Sequence, residues 1–328
     1  MIHIAILGAG NIAGKMAGTL NGMKEKGQSV CCYAVASREI ERAQAFADAY
    51  GFEKAYGSYL EMLEDENVDL VYVATPHSHH YEHIKLCLEH GKHVLCEKSF
   101  TLNAAQAREV FAMAKERKLL LTEAIWPRYM PMRKILDDLL GSGVIGKVHM
   151  MIANTCFDSD HVPRMNRPEL GGGALLDITV YPLNLAVMAF GQEITKVDSS
   201  AQLTEAGVDA QESITLHFAD GKMALIAGSM YGEGDTSAMF CGEKGRIHLE
   251  NIFNPKSLTV YNSQGEMVDK IFCPEQITGY EYEVESCIRA IESGSLECPE
   301  MLHDDTIFMM DLMDELRRQW GMKFPCEF

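Results

Sequence analysis

The segment Ile2-His3-Ile4-Ala5-Ile6-Leu7-Gly8-Ala9-Gly10-Asn11-Ile12-Ala13 passes from an apolar run straight into a Gly-x-Gly-x-x-Ala turn. Such a run reads as a buried strand, and the turn that ends it runs on into a helix. Gly8 permits the tight turn, Gly10 lets backbone come close to a phosphate, and Ala13 is small enough for the helix to pack on the strand. The free N–H groups and positive dipole end of that helix then face an anion, so Gly8, Gly10, Asn11 and Ile12 read as a seat for a dinucleotide pyrophosphate.

Outward from this segment, the first ~125 residues alternate apolar strands with amphipathic stretches, which is the pattern of a parallel sheet built from crossover units. Strands are expected at 2–7, 30–36, 68–74, 93–96 and 119–124, and helices at 12–24, 39–50, 58–65, 80–90 and 103–117. The pattern changes after Trp126-Pro127. A helix over 130–141, a strand over 147–157 and an apolar helix over 174–190 follow, the last introduced by Gly171-Gly172-Gly173. From 194 to 273 the turn signals Asp220-Gly221, Gly242-Glu243-Lys244-Gly245 and Ser263-Gln264-Gly265 separate antiparallel strands. Helices over 280–293 and 303–320 close the chain. The expected fold is α/β. A Rossmann domain, a doubly wound parallel sheet, spans 1–124. An α+β domain with a large, mostly antiparallel sheet spans 125–328, for substrate binding and dimerisation.

Composition narrows the function classes. The chain has 328 residues, 47% of them hydrophobic and 23% charged, an ordinary globular profile. Its formal net charge is −18, which disfavours nucleic acid and anionic membranes as partners and requires local positive side chains wherever a phosphate is to bind. No apolar run is expected to reach the ~20 residues that span a bilayer, and the opening strand does not resemble a signal peptide. The ten cysteines show no C-x-x-C spacing and read as reduced thiols in a cytoplasmic protein.

The strand tip Val35-Ala36-Ser37-Arg38 bears on the coenzyme. An acid at this position usually binds a ribose 2′-hydroxyl, whereas Ser37 and Arg38, with Arg42 a turn further on, suit a 2′-phosphate. This favours NADP over NAD; the plain alternative is a solvated Arg38 with Glu39 or Glu41 taking the ribose. The strand ends Thr75-Pro76-His77-Ser78-His79-His80 and Glu97-Lys98-Ser99 fall where ligands of such sheets sit. Asp177 and Tyr181 are four apart in an otherwise apolar stretch, as either site residues or a helix cap and a core aromatic. Trp126, Arg128 and Phe157 are weaker candidates, the first two beside the coenzyme and Phe157 beside the substrate, with packing as the alternative. His79 and His83 have a spacing zinc can use, but no third ligand stands in the segment, so no metal is expected.

Gly8-x-Gly10, Thr75-Pro76-x-x-x-His80, Glu97-Lys98 and Gly171-Gly172-Gly173-x-x-x-Asp177 together resemble the glucose–fructose oxidoreductase/inositol dehydrogenase (Gfo/Idh/MocA) family over nearly the whole chain. Glu123-Ala124-Ile125-Trp126-x-Arg128 and the segment from Gly171 to Tyr181 resemble its dimeric dihydrodiol dehydrogenase branch, which also oxidises D-xylose with NADP. The resemblance implies that Lys98 is the catalytic lysine, that Glu97 lies near the nicotinamide ribose, and that His80 belongs to the coenzyme pocket. It implies that Asp177 is an active-site residue and that Tyr181, where most of the family has histidine, exchanges the proton. Ser99 departs from the family's Glu-Lys-Pro.

The implied reaction is reversible oxidation of a secondary alcohol or sugar hemiacetal by NADP. Tyr181 serves as base, its phenolate favoured by the Lys98 ammonium, and Asp177 orients Lys98 or the substrate hydroxyl. Two other classes remain: an NAD-dependent redox glycosidase on the same scaffold, and a non-catalytic NADP-binding regulator, which has no need of Lys98 and Tyr181 together. A broad sheet with one exposed face commonly pairs with a copy of itself, so a homodimer or higher homo-oligomer is expected.

Overall fold

The computed structural model describes every residue except Cys326 and Phe328, so the expectation for the thiol of Cys326 lies outside the described residues. The chain divides into two compact units, residues 1–129 with 276–310, and residues 130–275 with 311–328.

In the first unit β1 (Ile2–Leu7), β2 (Val30–Ala36), β3 (Lys54–Tyr56), β4 (Leu70–Val73), β5 (His93–Glu97) and β6 (Leu121–Ala124) form a sheet ordered β3-β2-β1-β4-β5-β6, with every pair parallel. The connections are α1 (Asn11–Glu25), α2 (Ile40–Tyr50), α3 (Tyr59–Leu63), α4 (His77–Glu89) and α5 (Ala104–Arg117). This is the Rossmann strand order, whose direction reverses between β1 and β4. The strands are apolar because both faces are covered: β2 is buried at all seven positions and β4 at all four. Only β3 escaped the sequence reading, since three partly exposed edge residues carry no hydrophobic signal.

Gly8 sets the switch point. Its φ is +104°, and a Cβ there would lie 2.9 Å from the Ala74 carbonyl oxygen at the end of β4. Both the backbone twist and the approach of the two strand ends therefore require glycine.

The cut expected at 124/125 does not describe the compact units, because residues 276–310 join the first. The helix α8 (Glu281–Ser293) and its flanks attach to the Rossmann sheet and to α1. Ile277 fills the space left by Gly22, where a Cβ would meet its Cγ2 at 2.5 Å. The Thr19 and Thr278 hydroxyls are 2.7 Å apart, and Gln28 donates to Glu285 at 2.6 Å. Leu121 on β6 donates its N–H to the Leu296 carbonyl, extending the sheet edge.

The second unit holds α6 (Pro131–Ser142), α7 (Val180–Phe190) and eight strands: β7 (Val148–Cys156), β8 (Ile194–Leu203), β9 (Asp209–Phe218), β10 (Met223–Ser229), β11 (Ala238–Gly242), β12 (Gly245–Leu249), β13 (Ser257–Asn262) and β14 (Met267–Phe272). They form one sheet ordered β14-β13-β12-β11-β7-β10-β9-β8. It is antiparallel throughout except where β10 runs parallel to β7. The last helix, α9 (His303–Trp320), contributes to both units.

One segment corrects the expectation about apolar runs. Pro168–Phe190 has the length and composition to cross a bilayer, yet most of it is buried inside the protein. Its α7 portion is buried at eight of eleven positions, which is a core role that produces the same composition.

Replacing Gly8 by Ala is expected to destabilise the chain by ~2 kcal/mol or more. Gly18→Ala, at an exposed helical position with no neighbour within 4 Å, is expected to add ~0.5–1 kcal/mol. Urea unfolding of the two variants checks both signs.

Candidate active site

The carboxyl ends of β1, β2, β4 and β5 gather most of the residues read as coenzyme ligands. Gly10 caps α1 without any side-chain hydrogen bond, so the amides of the first turn, from Asn11 and Ile12 onward, are not satisfied by a cap. A Cβ on Gly10 would meet no protein atom within 4 Å. Protein packing therefore does not demand glycine there, whereas close approach of a dinucleotide pyrophosphate does, so the turn fits that group.

At the β2 tip Ser37 is buried and its N–H donates to the Tyr56 carbonyl. Arg38 is exposed and makes no ion pair or hydrogen bond among the described residues, so neither Glu39 nor Glu41 neutralises it. Arg42, also exposed, folds back on the turn instead. Its Nε and Nη2 donate to the Ala9 carbonyl at 3.1 and 2.9 Å, holding the glycine turn from outside.

On the other side of the turn, Thr75 leads into α4 through Pro76, the N-cap residue, whose ψ of 151° is extended. His77 and His80 are buried in the first turn and their rings meet edge to face at 5.7 Å. His80 spans two loops, with Nε2 2.7 Å from the Thr75 carbonyl oxygen and Nδ1 2.9 Å from that of Ser99. Burial is the main cause that pushes this imidazole down to about 4, so it is neutral at pH 7 and donates to only one of the two carbonyls at a time. His80 thus fixes the loops around the expected coenzyme site from beneath.

Glu97 closes β5, buried, and accepts from the Tyr72 hydroxyl and from the Lys98 N–H. Lys98 is half-buried. The Lys98–Ser99 peptide is cis, with Ser99 fully buried. Glu123, at the end of β6, anchors the same loop by accepting from the Phe100 N–H at 3.1 Å. Nearby, Trp126 stacks on Tyr280 with centroids 4.3 Å apart. Arg128 is buried, with Nη1 3.2 Å from Asp305. That places Arg128 in an internal ion pair of the first unit rather than on a surface open to a coenzyme. A buried guanidinium needs a carboxylate, and α9 supplies it.

The second unit positions Asp177 and Tyr181 by a different device. The helix expected over 174–190 begins as a π turn over Leu175–Thr179 and becomes α-helical only at Val180. Wide turns of this kind recur at functional sites. Asp177 lies inside the π turn, so it is not the cap that the alternative reading allowed, and both its oxygens accept from Arg164 at 3.0 Å. The glycine run makes that pairing reachable. A Cβ on Gly172 would lie 2.5 Å from the Met165 carbonyl oxygen and 2.6 Å from that of Arg164. The Gly173 N–H donates to the same Met165 carbonyl. Tyr181 packs edge to face on Phe253 at 4.4 Å, and Phe157 meets the same ring at 5.3 Å, so the structure brings Phe157 and Tyr181 into one aromatic cluster.

Sequence reasoning missed the acids beneath this turn. Asp209 accepts from the Leu175 N–H and sits 2.2 Å from where a Gly173 Cβ would be. Glu212 accepts from the Thr179 hydroxyl. Burial raises Asp209 to about 7, and burial together with the Asp209 charge pushes Glu212 well up. Arg164 was also missed, as was Phe253. Asp209, Glu212 and Phe253 stand far in sequence from the motif they serve, and Arg164 stands 13 residues before Asp177 with no periodic signal linking the two. Among the described residues, no group of three or more His, Cys, Asp or Glu side chains is placed to hold a metal.

Fold and turn define the class, a Rossmann oxidoreductase architecture with a second sheet unit. The pattern of the NAD-binding Rossmann oxidoreductase family (Gfo/Idh/MocA) matches residues 2–125, and that of its C-terminal domain matches 134–248. Mouse trans-1,2-dihydrobenzene-1,2-diol dehydrogenase is 32% identical over 334 residues, covering 98% of this chain and 97% of that protein. The D-xylose 1-dehydrogenase (NADP(+)) of Hypocrea jecorina is 34% identical over 325 residues, covering 88% of this chain and 83% of that one. A 3-ketoreductase from Actinomadura kijaniata, solved with NADP and TDP-benzene, superposes with a TM-score of 0.87 at 27% identity, covering 97% of both chains. The chain belongs to the Gfo/Idh/MocA family of NAD(P)-binding oxidoreductases.

The buried acid under the π turn gives a sign-definite test. An aspartate whose native pKa is raised holds a proton that the unfolded chain has already released. Its contribution to stability is therefore full below the unfolded value near ~4 and is lost as pH rises through the native value. The melting temperature is expected to fall between pH 5 and 8, by less in Asp209→Asn than in the parent chain. Calorimetry across that range checks the difference in slope.

Proposed function

We propose that this chain is an NADP-linked dehydrogenase acting on the CH–OH group of a secondary alcohol, whether a sugar, a polyol or a trans-diol. The observation that carries the reading is Arg38, an unpaired cation at the ribose end of the glycine turn with no acid in its place. Support comes also from relatives whose names or solved complexes include NADP, a D-xylose dehydrogenase and a 3-ketoreductase among them. When bound, the nicotinamide supplies the hydride chemistry.

The chain's own residues position and move the proton. Gly8, Gly10, Asn11 and Ile12 receive the pyrophosphate, and Ser37 and Arg38 receive the ribose phosphate. Arg42 acts one step back, through Ala9. Thr75, Pro76, His77 and His80 shape the pocket wall, with Trp126 behind it, and Glu97 faces the nicotinamide ribose. Arg128, paired with Asp305, is a packing residue in this scheme. Tyr181 takes the hydroxyl proton as the carbonyl forms. A phenol with a pKa near ~10 needs help at neutral pH, and the Lys98 ammonium provides it by favouring the phenolate. Asp177, tied to Arg164, orients the reacting groups, and Phe157 flanks the substrate beside Phe253.

We further propose a cytoplasmic homo-oligomer. The nine described cysteines are all free. Ile152 on β7 and Met267, Val268 and Phe272 on β14 expose apolar surface on the large sheet, which a second copy would cover.

The test is a spectrophotometric screen of NADP and NAD reduction over pentoses, hexoses, inositols and trans-diols. NADP reduction by at least one of them is expected. Glycoside hydrolysis without net reduction would instead identify a redox glycosidase. Coenzyme binding with no turnover would identify a regulator. Lys98→Ala and Tyr181→Phe are each expected to lower kcat by ~100-fold or more while NADPH still binds. Near-normal turnover in either variant removes that residue's assigned role.

A further inference from the structure

The histidine-rich start of α4 is explained neither by a metal nor by the roles given above to His77 and His80. His79 and His83 stand one turn apart with their rings stacked at 5.7 Å, and Tyr59 meets the His83 ring edge-on at 5.0 Å. A hydroxyl holds one nitrogen of each ring. Ser78 Oγ is 3.0 Å from His79 Nδ1, and Thr75 Oγ1 is 2.9 Å from His83 Nδ1. Both Nε2 atoms are left with no hydrogen-bond partner among the described residues, and both rings are half-buried.

Arg38 lies within electrostatic reach of all three aromatic groups. Burial first, and then the Arg38 charge, lower His79; burial, then His79, His80 and Arg38, bring His83 to about 4. Tyr59 senses both Arg38 and Arg42. The group is tied to the glycine turn on both sides, because Thr75 Cγ2 lies 3.2 Å from the Cβ position of Gly8 and Arg42 grips Ala9. It therefore sits at the carboxyl ends of β2 and β4, where the adenosine ribose of a dinucleotide seated on this turn falls.

We propose that His79 and His83 complete, with Arg38, a cup for a phosphate monoester on the coenzyme's adenosine ribose, and so set the preference for the phosphorylated dinucleotide; this rests on the nicotinamide-coenzyme reading above. A terminal phosphate presents three oxygens and about two negative charges, more than one guanidinium satisfies. Arg42, the second cation that spacing alone suggested, has two of its nitrogens committed to Ala9. The imidazoles fill that shortfall. With Nδ1 accepting from a hydroxyl, each ring carries its proton on Nε2 and donates from it while still neutral.

The experiment is equilibrium titration of the full chain with NADPH and NADH, and with 2′,5′-ADP and 5′-AMP as probes that lack nicotinamide. The parent chain is expected to prefer the phosphorylated member of each pair. His79→Gln and His83→Gln are each expected to weaken NADPH and 2′,5′-ADP by about tenfold, the order of one hydrogen bond to a charged group. NADH and 5′-AMP affinities should stay unchanged, which also reports an intact fold. Equal losses for both members of a pair, unchanged NADPH affinity in both variants, or a parent chain that prefers NADH would each overturn the phosphate cup while leaving the coenzyme reading in place. A parent chain that binds neither dinucleotide overturns the coenzyme reading, and the cup with it.

Discussion

The first unit turns on a contact of atomic dimensions, the end of β1 lying against the end of β4 at Gly8. A side chain there would strike the Ala74 carbonyl oxygen, and the backbone takes a φ that only glycine adopts cheaply. Because the strand order reverses between β1 and β4, this is where two loops diverge and leave an opening above the sheet. Several details follow from it. Thr75 packs against the turn, His80 ties the loop after β4 to the loop after β5, and Arg42 holds Ala9 from the β2 side. The loops that would carry a coenzyme are thus cross-braced by side chains that need not touch it.

The second unit uses the same economy of space with buried acids as the fasteners. Gly172 lets the Arg164–Met165 backbone close over the turn, and Gly173 lets Asp209 reach the Leu175 amide. Gly228, where a Cβ would fall 2.0 Å from the Thr179 hydroxyl, leaves room for Thr179 and Glu212 to meet. A π turn leaves amides and carbonyls poorly matched to ordinary α-helical bonding. Two carboxyl groups that burial pushes toward the protonated form brace it, each accepting one hydrogen bond from the turn. The turn that carries Asp177 is therefore held from below by side chains 30 or more residues further along the chain.

What the sequence made legible follows from the range of the forces involved. The Rossmann order was readable because strand, turn and helix are each fixed by neighbours within a few residues, and Gly8 and Gly10 announce the turn. The run Gly171-Gly172-Gly173 announced a close approach but not its object, because Asp209 is brought there only by β9. Arg128 reads as an available cation until Asp305 arrives from α9. Arg42 has the right spacing for a phosphate, and nothing local says that its guanidinium folds back on Ala9. The membership of 276–310 in the first unit depends on small contacts, Ile277 into the gap at Gly22 and Leu296 onto the edge of β6, which have no periodic signature.

The formal charge of −18 looks hostile to a coenzyme that carries phosphates, and burial resolves part of that conflict. The formal count assumes every carboxyl is ionised. Burial raises Glu123 to about 7 and Glu283 well above the usual range in the first unit, and it raises Asp209 and Glu212 in the second. Glu123 and Asp209 are then only about half ionised at pH 7, and Glu212 and Glu283 less, so the four add less negative potential than the count implies. Arg38 meanwhile remains exposed and unneutralised. At about 8 Å of screening length in physiological salt, a bound phosphate responds to the few groups at the β2 and β4 ends far more than to acids on distant surfaces. An acidic protein can therefore attract an anion at one spot where a cation is left unpaired, as Arg38 is although Glu39 and Glu41 lie exposed beside it in the sequence.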